Sequence, residues 1–477
     1  MASASLLWWT ARELARAVRR RELSAREVVG WHLDRIAAVN PRINAVVSLR
    51  PQQALAEADA ADRRVAAGEP VGPLHGLPIA IKDLEDTAGI RTTYGSRMFA
   101  DHVPSTDSLL VQRLRAAGAI VVGKTNTPEF GVGSHTFNEV FGPTRNPWAL
   151  DRSAGGSSGG AGAALAAGLV PLADGSDHGG SIRNPASFNN VVGLRPTPGL
   201  VPSGDGGEGW NPASVLGPMA RTVGDLALML VAISGPDPRS PLSYGDPAEF
   251  RGEPSGDLDG LRIAWCPDLG GLPIEPAVLG VLDQARDRLS ACGCYVEDVA
   301  LDLSRADEAF ETLRALGFAQ AFGDSLPALR ETAKDTLIWN VERGLALDGP
   351  AVARALTRRS EIFAMFVEVL ERFDVLAAPS AQVVPFPIEE EYPVQVAGVT
   401  MPHYLGWMRV CSRITLSAHP AAAVPAGFTD DGLPVGLQFV GRYRGEVSLL
   451  RHAAAWEAAS GLTDRHPSLD GPQGLSG

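Results

Sequence analysis

Cysteine is scarce in this chain, with only Cys266, Cys292, Cys294 and Cys411 among 477 residues. No Cys-x-x-Cys pair occurs, and Cys292-Gly293-Cys294 has no neighbouring His or Cys to complete a structural zinc set. That scarcity excludes a disulfide scaffold and leads us to expect reduced thiols in a cytoplasmic protein. An excess of basic charge is also missing. Lys and Arg number 42 against 55 Asp and Glu, for a net charge of -13. This argues against nucleic acid or an anionic membrane surface as a partner, since both require a basic patch. No run of about 18 apolar residues is present, so no membrane span is expected. Leu6-Leu7-Trp8-Trp9 is too short for a signal-peptide core and runs into the charged stretch 12–26, so no secretory leader is expected either. His-Glu-x-x-His and Gly-x-x-x-x-Gly-Lys-Ser/Thr are both absent, and neither a metal nor a nucleotide cofactor is expected.

What the chain does have is apolar bulk and turn formers. Apolar residues make up 45%, ample for a large core, while 52 Gly and 36 Pro point to tight turns and a loop-rich active face. The first 70 residues read as helical. Thr10 with Glu13 and Ser24 with Glu27 have capping-box spacing, and Val28, Leu33, Ile36 and Val39 keep a helical period until Asn40-Pro41. A third helix is expected over 53–67. We expect 1–70 to be a helical appendage packed on a single domain spanning 71–477. Within the latter, the apolar stretch 79–81 precedes Lys82-Asp83, and a helix at 107–117 feeds a strand at 119–122. This alternation predicts an α/β layer architecture. Further helices are expected over 222–234, 275–291, 304–324 and 351–372, and strands over 261–265, 373–378 and 433–440. Residues 238–258, rich in Pro, Gly, Ser and Asp, read as a surface crossover.

Residues 155–160 spell Gly-Gly-Ser-Ser-Gly-Gly. In isolation this is also the composition of a flexible linker. Its setting argues otherwise, because Arg152-Ser153-Ala154 precedes it and an alanine-rich stretch able to form a buried helix follows at 161–167. Twenty-four residues after Ser157 comes Asp177-His178-Gly179-Gly180-Ser181-Ile182-Arg183. Paired glycines ahead of a serine permit sharp backbone geometry, and successive N–H groups there can form a concavity for a developing oxyanion. Neither Ser-x-x-Lys nor the Gly-x-Ser-x-Gly elbow is present around Ser181. His178 and Asp177 flank Ser181 too closely for a Ser-His-Asp triad, which is assembled from distant segments.

Together these segments resemble the amidase signature family. The matching motifs are Gly76-Leu77-Pro78-Ile79-Ala80-Ile81-Lys82-Asp83, Gly123-Lys124-Thr125-Asn126-Thr127-Pro128-Glu129-Phe130 and Phe141-Gly142-Pro143-Thr144-Arg145-Asn146-Pro147-Trp148. They continue through the Gly/Ser block, Gly179-Gly180-Ser181-Ile182-Arg183, Gly217-Pro218-Met219-Ala220-Arg221-Thr222 and Gly432-Leu433-Pro434-Val435-Gly436-Leu437-Gln438. The resemblance covers nearly the whole chain and is weakest over 235–425. It implies an α/β fold with a large mixed, mostly parallel twisted sheet covered by helices on both faces, the helical region 238–425 shaping the substrate pocket. It also implies that Lys82 is the general base, Ser181 the nucleophile and Ser157 a bridging serine on a cis peptide bond. The backbone N–H groups of His178, Gly179, Gly180 and Ser181 would hold the oxyanion, with Ser158, Asp177 and Arg183 bracing the site. For Lys82 to act near neutral pH it must be desolvated, since an ordinary lysine titrates near about 10.

The substrate is less legible. Phe130, Phe137, Trp210, Trp339, Tyr404 and Trp407 fall in glycine- or loop-rich stretches and, with His178, are candidates to line a pocket. They tilt the expectation toward an amide with a bulky or aromatic acyl or amine part, such as an anilide, with water as acyl acceptor. Ester, carbamate and oligoamide hydrolysis by the same machinery stay open, as does a homodimer. A role within a glutamyl-tRNA amidotransferase complex is disfavoured by the acidic balance. A non-catalytic scaffold is disfavoured because Lys82, Ser157 and Ser181 are all retained.

Overall fold

Apolar runs at 79–81 and 120–122 each supply a wholly buried strand of the main sheet. The computed structural model describes residues 6–204 and 209–469. In chain order the strands are β1 (Val46–Leu49), β2 (Pro78–Lys82), β3 (Ile120–Thr125), β4 (Arg145–Asn146), β5 (Ala149–Ser153), β6 (Leu172–Asp177), β7 (Val192–Arg195) and β8 (Val215–Ala220). They continue as β9 (Arg262–Trp265), β10 (Tyr295–Asp298), β11 (Val375–Pro379), β12 (Gln395–Val396), β13 (Val399–Thr400), β14 (Ala421–Phe428) and β15 (Pro434–Val440). Eleven of them form one sheet in the order β1-β3-β2-β6-β8-β7-β14-β15-β11-β9-β10. The remaining two pairs, β4 with β5 and β12 with β13, are small ribbons.

The sheet is large and mixed. Parallel pairing occupies two blocks, β3-β2-β6 and β11-β9-β10. The strands between these blocks, and edge strand β1, pair antiparallel. Every residue of β2, β3, β7, β11 and β15 is buried. Successive side chains of a strand point to opposite faces, so helices must cover the sheet on both.

Two short helices, Gly159–Ala166 and Arg183–Asn189, pack against each other and on the sheet. Both are wholly buried, and the first consists of Gly, Ala and one Leu, which allows close approach to its neighbours. Their N-termini place the Gly/Ser block and Ser181 side by side: the Ser158 N–H donates to the Ser181 carbonyl at 3.1 Å. A separate apolar cluster forms around Val132, Phe188, Leu337, Phe386 and Trp407, and it joins the helices of the middle region to the loops above the sheet.

The N-terminal segment contains more than helices. Both capping boxes form, at Thr10/Glu13 and Ser24/Glu27. The second helix, Ala25–Ile43, runs past Pro41, and Asn44 closes it in the left-handed conformation. The Asn40 side chain also accepts from the N–H groups of Ala45 and Val46. Residues 46–49 then join the sheet as β1, antiparallel to β3. Gly123 permits this pairing, since a Cβ there would stand 2.1 Å from the Ser48 carbonyl oxygen. Four residues with only two valines and a leucine carry too little pattern to announce a strand.

Asp225, buried in the first turn of the helix Val223–Ile233, accepts from the N–H groups of Ala11 and Arg12 at 2.9 and 3.0 Å and so docks the first helix from 214 residues away. Asp225→Ala should therefore cost about 1–3 kcal/mol by orphaning these donors, measured as a lower urea midpoint together with faster proteolysis near residue 11. An unchanged midpoint would show that docking does not depend on this carboxylate.

Candidate active site

Three segments converge at the C-terminal end of β2. Lys82, its last residue, is fully buried. Its Nζ lies 2.7 Å from Ser157 Oγ, 2.8 Å from Ser158 Oγ and 2.9 Å from Ser176 Oγ. Its own backbone N–H donates to Asp174 Oδ1 at 2.8 Å. Among the described residues no carboxylate touches the amine. Burial pushes the Lys82 pKa down to about 7, against the longer-range pull of Asp174, Glu85 and Asp177. Three hydroxyls suit both protonation states. An ammonium donates to all of them, while a neutral amine donates two bonds and accepts one, each hydroxyl turning its proton as required. Glu85, nearby, is pushed up to about 7 by burial and by the charge of Asp174.

Ser157 is 2% exposed and follows a cis peptide bond at Gly156–Ser157. Ser181 is partly exposed and opens, with Ser157 and Ser176, into a cavity of about 180 Å³ also walled by Leu84, Phe130, Phe318 and Met408. Its Oγ makes no hydrogen bond among the described residues, Ser157 included. Among those residues the N–H groups of His178, Gly179 and Ser181 also lack an acceptor. Gly180 differs, and here the four-donor oxyanion set is corrected. Its N–H donates to Asp177 Oδ1 at 2.9 Å, which removes it from that set. Gly180 also has φ +114°, and a Cβ there would stand 2.6 Å from Cys411 Cβ, so only glycine fits the turn.

Asp177 organises this turn. Its carboxylate accepts from the N–H groups of Gly180 and Ile182 and from Arg183 Nε and Nη2, and it lies beside Arg195. Burial alone would raise its pKa, but the two guanidiniums and the backbone donors hold it well below the usual carboxylate range. Arg183 reaches on to Gln438, Thr415 and the Cys411 carbonyl, tying the turn to β15 and to the helix Arg409–Ser417. With its oxygens so occupied, Asp177 makes no bond to His178. The imidazole instead stands edge-on to Phe310, with centroids 5.5 Å apart. Burial, then Arg314 and Arg195, push its pKa well below the ordinary value, so it is neutral.

The pocket candidates separate cleanly. Phe130 and His178 line the cavity at Ser181. Phe137 and Trp407 do not. They border a separate space of about 10 Å³, and Trp407 is 1% exposed against Phe188 and Phe386. Trp339 packs on His403 and Tyr404 beneath Arg343. Tyr404 is buried and accepts from Arg314 and Asn340. Trp210 is 76% exposed and is not among the residues lining the cavities. Apolar packing claims most of these rings, since each buries a large apolar area. Sequence reasoning missed Ser176, Phe310, Arg314 and Phe318. The last three recur every four residues on the helix Ala306–Phe322, a face on which one cation interrupts aromatic residues.

Known proteins match nearly the whole chain. The family model described as Amidase matches residues 27–450. The chain is 39% identical over 474 residues to an acylamidase of Rhodococcus erythropolis, covering 98% of this chain and 99% of that protein. It is 37% identical over 495 residues to a glutamyl-tRNA(Gln) amidotransferase component of Moorella thermoacetica, covering 97% and 99%. A solved bacterial aryl acylamidase of the amidase signature enzymes superposes with a TM-score of 0.87 at 30% identity, covering 96% of this chain and 98% of that one.

Asp177→Ala should cost about 3–5 kcal/mol, because it leaves two buried guanidiniums without their counter-ion. The depressed carboxylate pKa makes this contribution complete above the unfolded value near about 4 and lost as the pH falls toward the folded one. Denaturant titrations of wild type and variant at neutral pH check this, and a difference under about 1 kcal/mol would contradict it.

Proposed function

Because the chain belongs to the Amidase family and is an amide C–N hydrolase, we propose that it works through a Ser181 acyl-enzyme with Lys82 and Ser157 relaying protons. The observation that carries this reading is the buried Lys82 amine, shifted to about 7 and 2.7 Å from Ser157 Oγ, while Ser157 and Ser181 line one cavity. Neutral Lys82 takes the proton of Ser157 as Ser157 takes that of Ser181, and Ser181 Oγ attacks the amide carbon. The N–H groups of His178, Gly179 and Ser181 are available for the resulting oxyanion, where loss of one such donor costs about 3 kcal/mol of transition-state stabilisation. The proton then returns from Lys82 through Ser157 to the leaving nitrogen, the C–N bond breaks, and water releases the acyl group by the same relay. The Ser181 hydroxyl, unbonded in the free enzyme, closes on Ser157 as substrate fills the cavity. Such contacts commonly tighten only in the Michaelis complex.

For the substrate we favour a small-molecule amide with a bulky or aromatic acyl or amine part. Phe130, Phe318, Leu84 and Met408 around Ser181 supply apolar walls, and an acylamidase and an aryl acylamidase are among the similar proteins. Ester cleavage needs no further machinery. Transamidation on glutamyl-tRNA fits less well with a net charge of -13. Four free cysteines fit a cytoplasmic setting, and no helix among the described residues is long and apolar enough to cross a membrane.

Release of 4-nitroaniline from 4-nitroacetanilide tests the mechanism. Ser181→Ala should lower the rate by about 10⁴-fold or more with the fold intact, and near-wild-type activity in that variant would overturn the assignment. Since the base must be neutral, kcat/KM should rise with pH through about 7 in the wild type. A rise centred near about 10, the range of an exposed lysine, would show that Lys82 is not desolvated as described.

A further inference from the structure

Two cations line the cavities at the site without an ion-pair partner among the described residues. Arg314 is 6% exposed, yet it forms no ion pair among the described residues. Its Nε and Nη2 both meet a single neutral phenol, Tyr404, at 3.3 and 3.2 Å, and its guanidinium lies 4.7 Å from the Phe318 ring centroid. Nη1 makes no hydrogen bond among the described residues. A buried guanidinium ordinarily has a carboxylate partner, because desolvating a charge without one costs several kcal/mol. This holds with particular force in a chain with thirteen more acidic than basic side chains.

Arg314 and His178 together border three cavities, of about 180, 320 and 530 Å³. Ser181 opens into the first. The second is walled by Phe310, Leu313, Phe363 and Leu416 and has both Arg314 and Arg359 in its lining, with no acidic residue there. Arg359 likewise forms no ion pair among the described residues, and burial alone accounts for its lowered pKa. The neutral His178 ring also borders this cavity, and among the described residues its buried Nε2 has no hydrogen-bond partner.

We propose that this cavity of about 320 Å³ is a carboxylate-binding subsite, and that the preferred substrates are amides carrying an apolar body and a carboxylate held by Arg314 and Arg359. The proposal rests on the amidase reading above, because it assigns the substrate class to that same site. A carboxylate there supplies the missing counter-charge and takes charge-assisted hydrogen bonds from both guanidiniums. The apolar walls take the rest of the group. The third cavity is a poorer place for an anion, since Glu85 and Asp86 lie in its lining.

Matched pairs test this. Glutaryl-4-nitroanilide against butyryl-4-nitroanilide places the carboxylate on the acyl side. The pair 4-acetamidobenzoate and 4-acetamidobenzamide places it on the leaving side. In the wild type kcat/KM should favour the carboxylate in at least one pair by roughly tenfold or more. The charged-to-neutral ratio should fall toward one in Arg314→Gln and Arg359→Gln and recover in part in Arg314→Lys. Arg359, half-buried, provides the second variant if Arg314→Gln does not fold. A wild-type ratio at or below one in both pairs, or a ratio that both variants leave unchanged, overturns the proposal while leaving Ser181 chemistry intact. Calorimetric titration of Ser181→Ala with glutaryl-4-nitroanilide and 4-acetamidobenzoate separates the two readings. Binding that weakens tenfold when Arg314→Gln or Arg359→Gln is added upholds the subsite even if no probe is hydrolysed, and absence of such a change refutes it.

Discussion

An amine buried among hydroxyls, with no carboxylate in contact, is the constraint around which this molecule is arranged. Lys82 sits at the end of a strand whose five residues are all buried, and among the described residues its Nζ meets only Ser157, Ser158 and Ser176. A contacting acid would stabilise the ammonium and leave the lysine a poor base. Removing the hydroxyls would strand a polar group in the core. The arrangement seen avoids both, and it needs three backbone segments to arrive within hydrogen-bond reach of one atom. The glycine-rich helix Gly159–Ala166, the parallel pairing of β2 with β6, and the Ser158–Ser181 backbone hydrogen bond deliver them.

A second electrostatic unit stands beside the first and keeps its charges paired. Asp177 draws Arg183 and Arg195 together and takes the N–H groups of Gly180 and Ile182, which fixes the turn carrying Ser181. The carboxylate next to His178 in sequence is thereby committed to structure. The two units divide the work: one leaves a cation under-stabilised so that it can release its proton, the other stabilises charge so that a backbone turn stays in place. Arg314 and Arg359 follow neither pattern.

Much of this is legible in the sequence, and the parts that are not have physical reasons. Lys82, Ser157 and Ser181 stand out because small residues crowd around them, and that pattern survives in a linear string. The capping boxes at Thr10 and Ser24 are equally local. β6 is hidden because its sequence, Leu-Ala-Asp-Gly-Ser-Asp, places polar side chains inside the molecule and so lacks an apolar signature. Ser176 is hidden with it, although it lies two residues after Asp174 in a strand, where both meet Lys82. Gly180 reads as an oxyanion donor because a glycine pair advertises freedom of the backbone but not where its N–H points. Residue type alone draws Phe137, Trp339 and Trp407 toward the substrate. Tertiary packing instead gives Trp339 and Trp407 to the second apolar cluster and sets Phe137 against His135. Arg314 needs the assembled cavity, since the absence of a partner is a property of three dimensions.

The central claim is that burial holds the Lys82 amine near neutrality in the free enzyme. It is tested most directly by NMR titration of protein labelled at the lysine ε-carbon, with the Lys82 resonance identified by its loss in Lys82→Arg. The midpoint should lie at about 7. A midpoint near about 10, as for an exposed lysine, would contradict it.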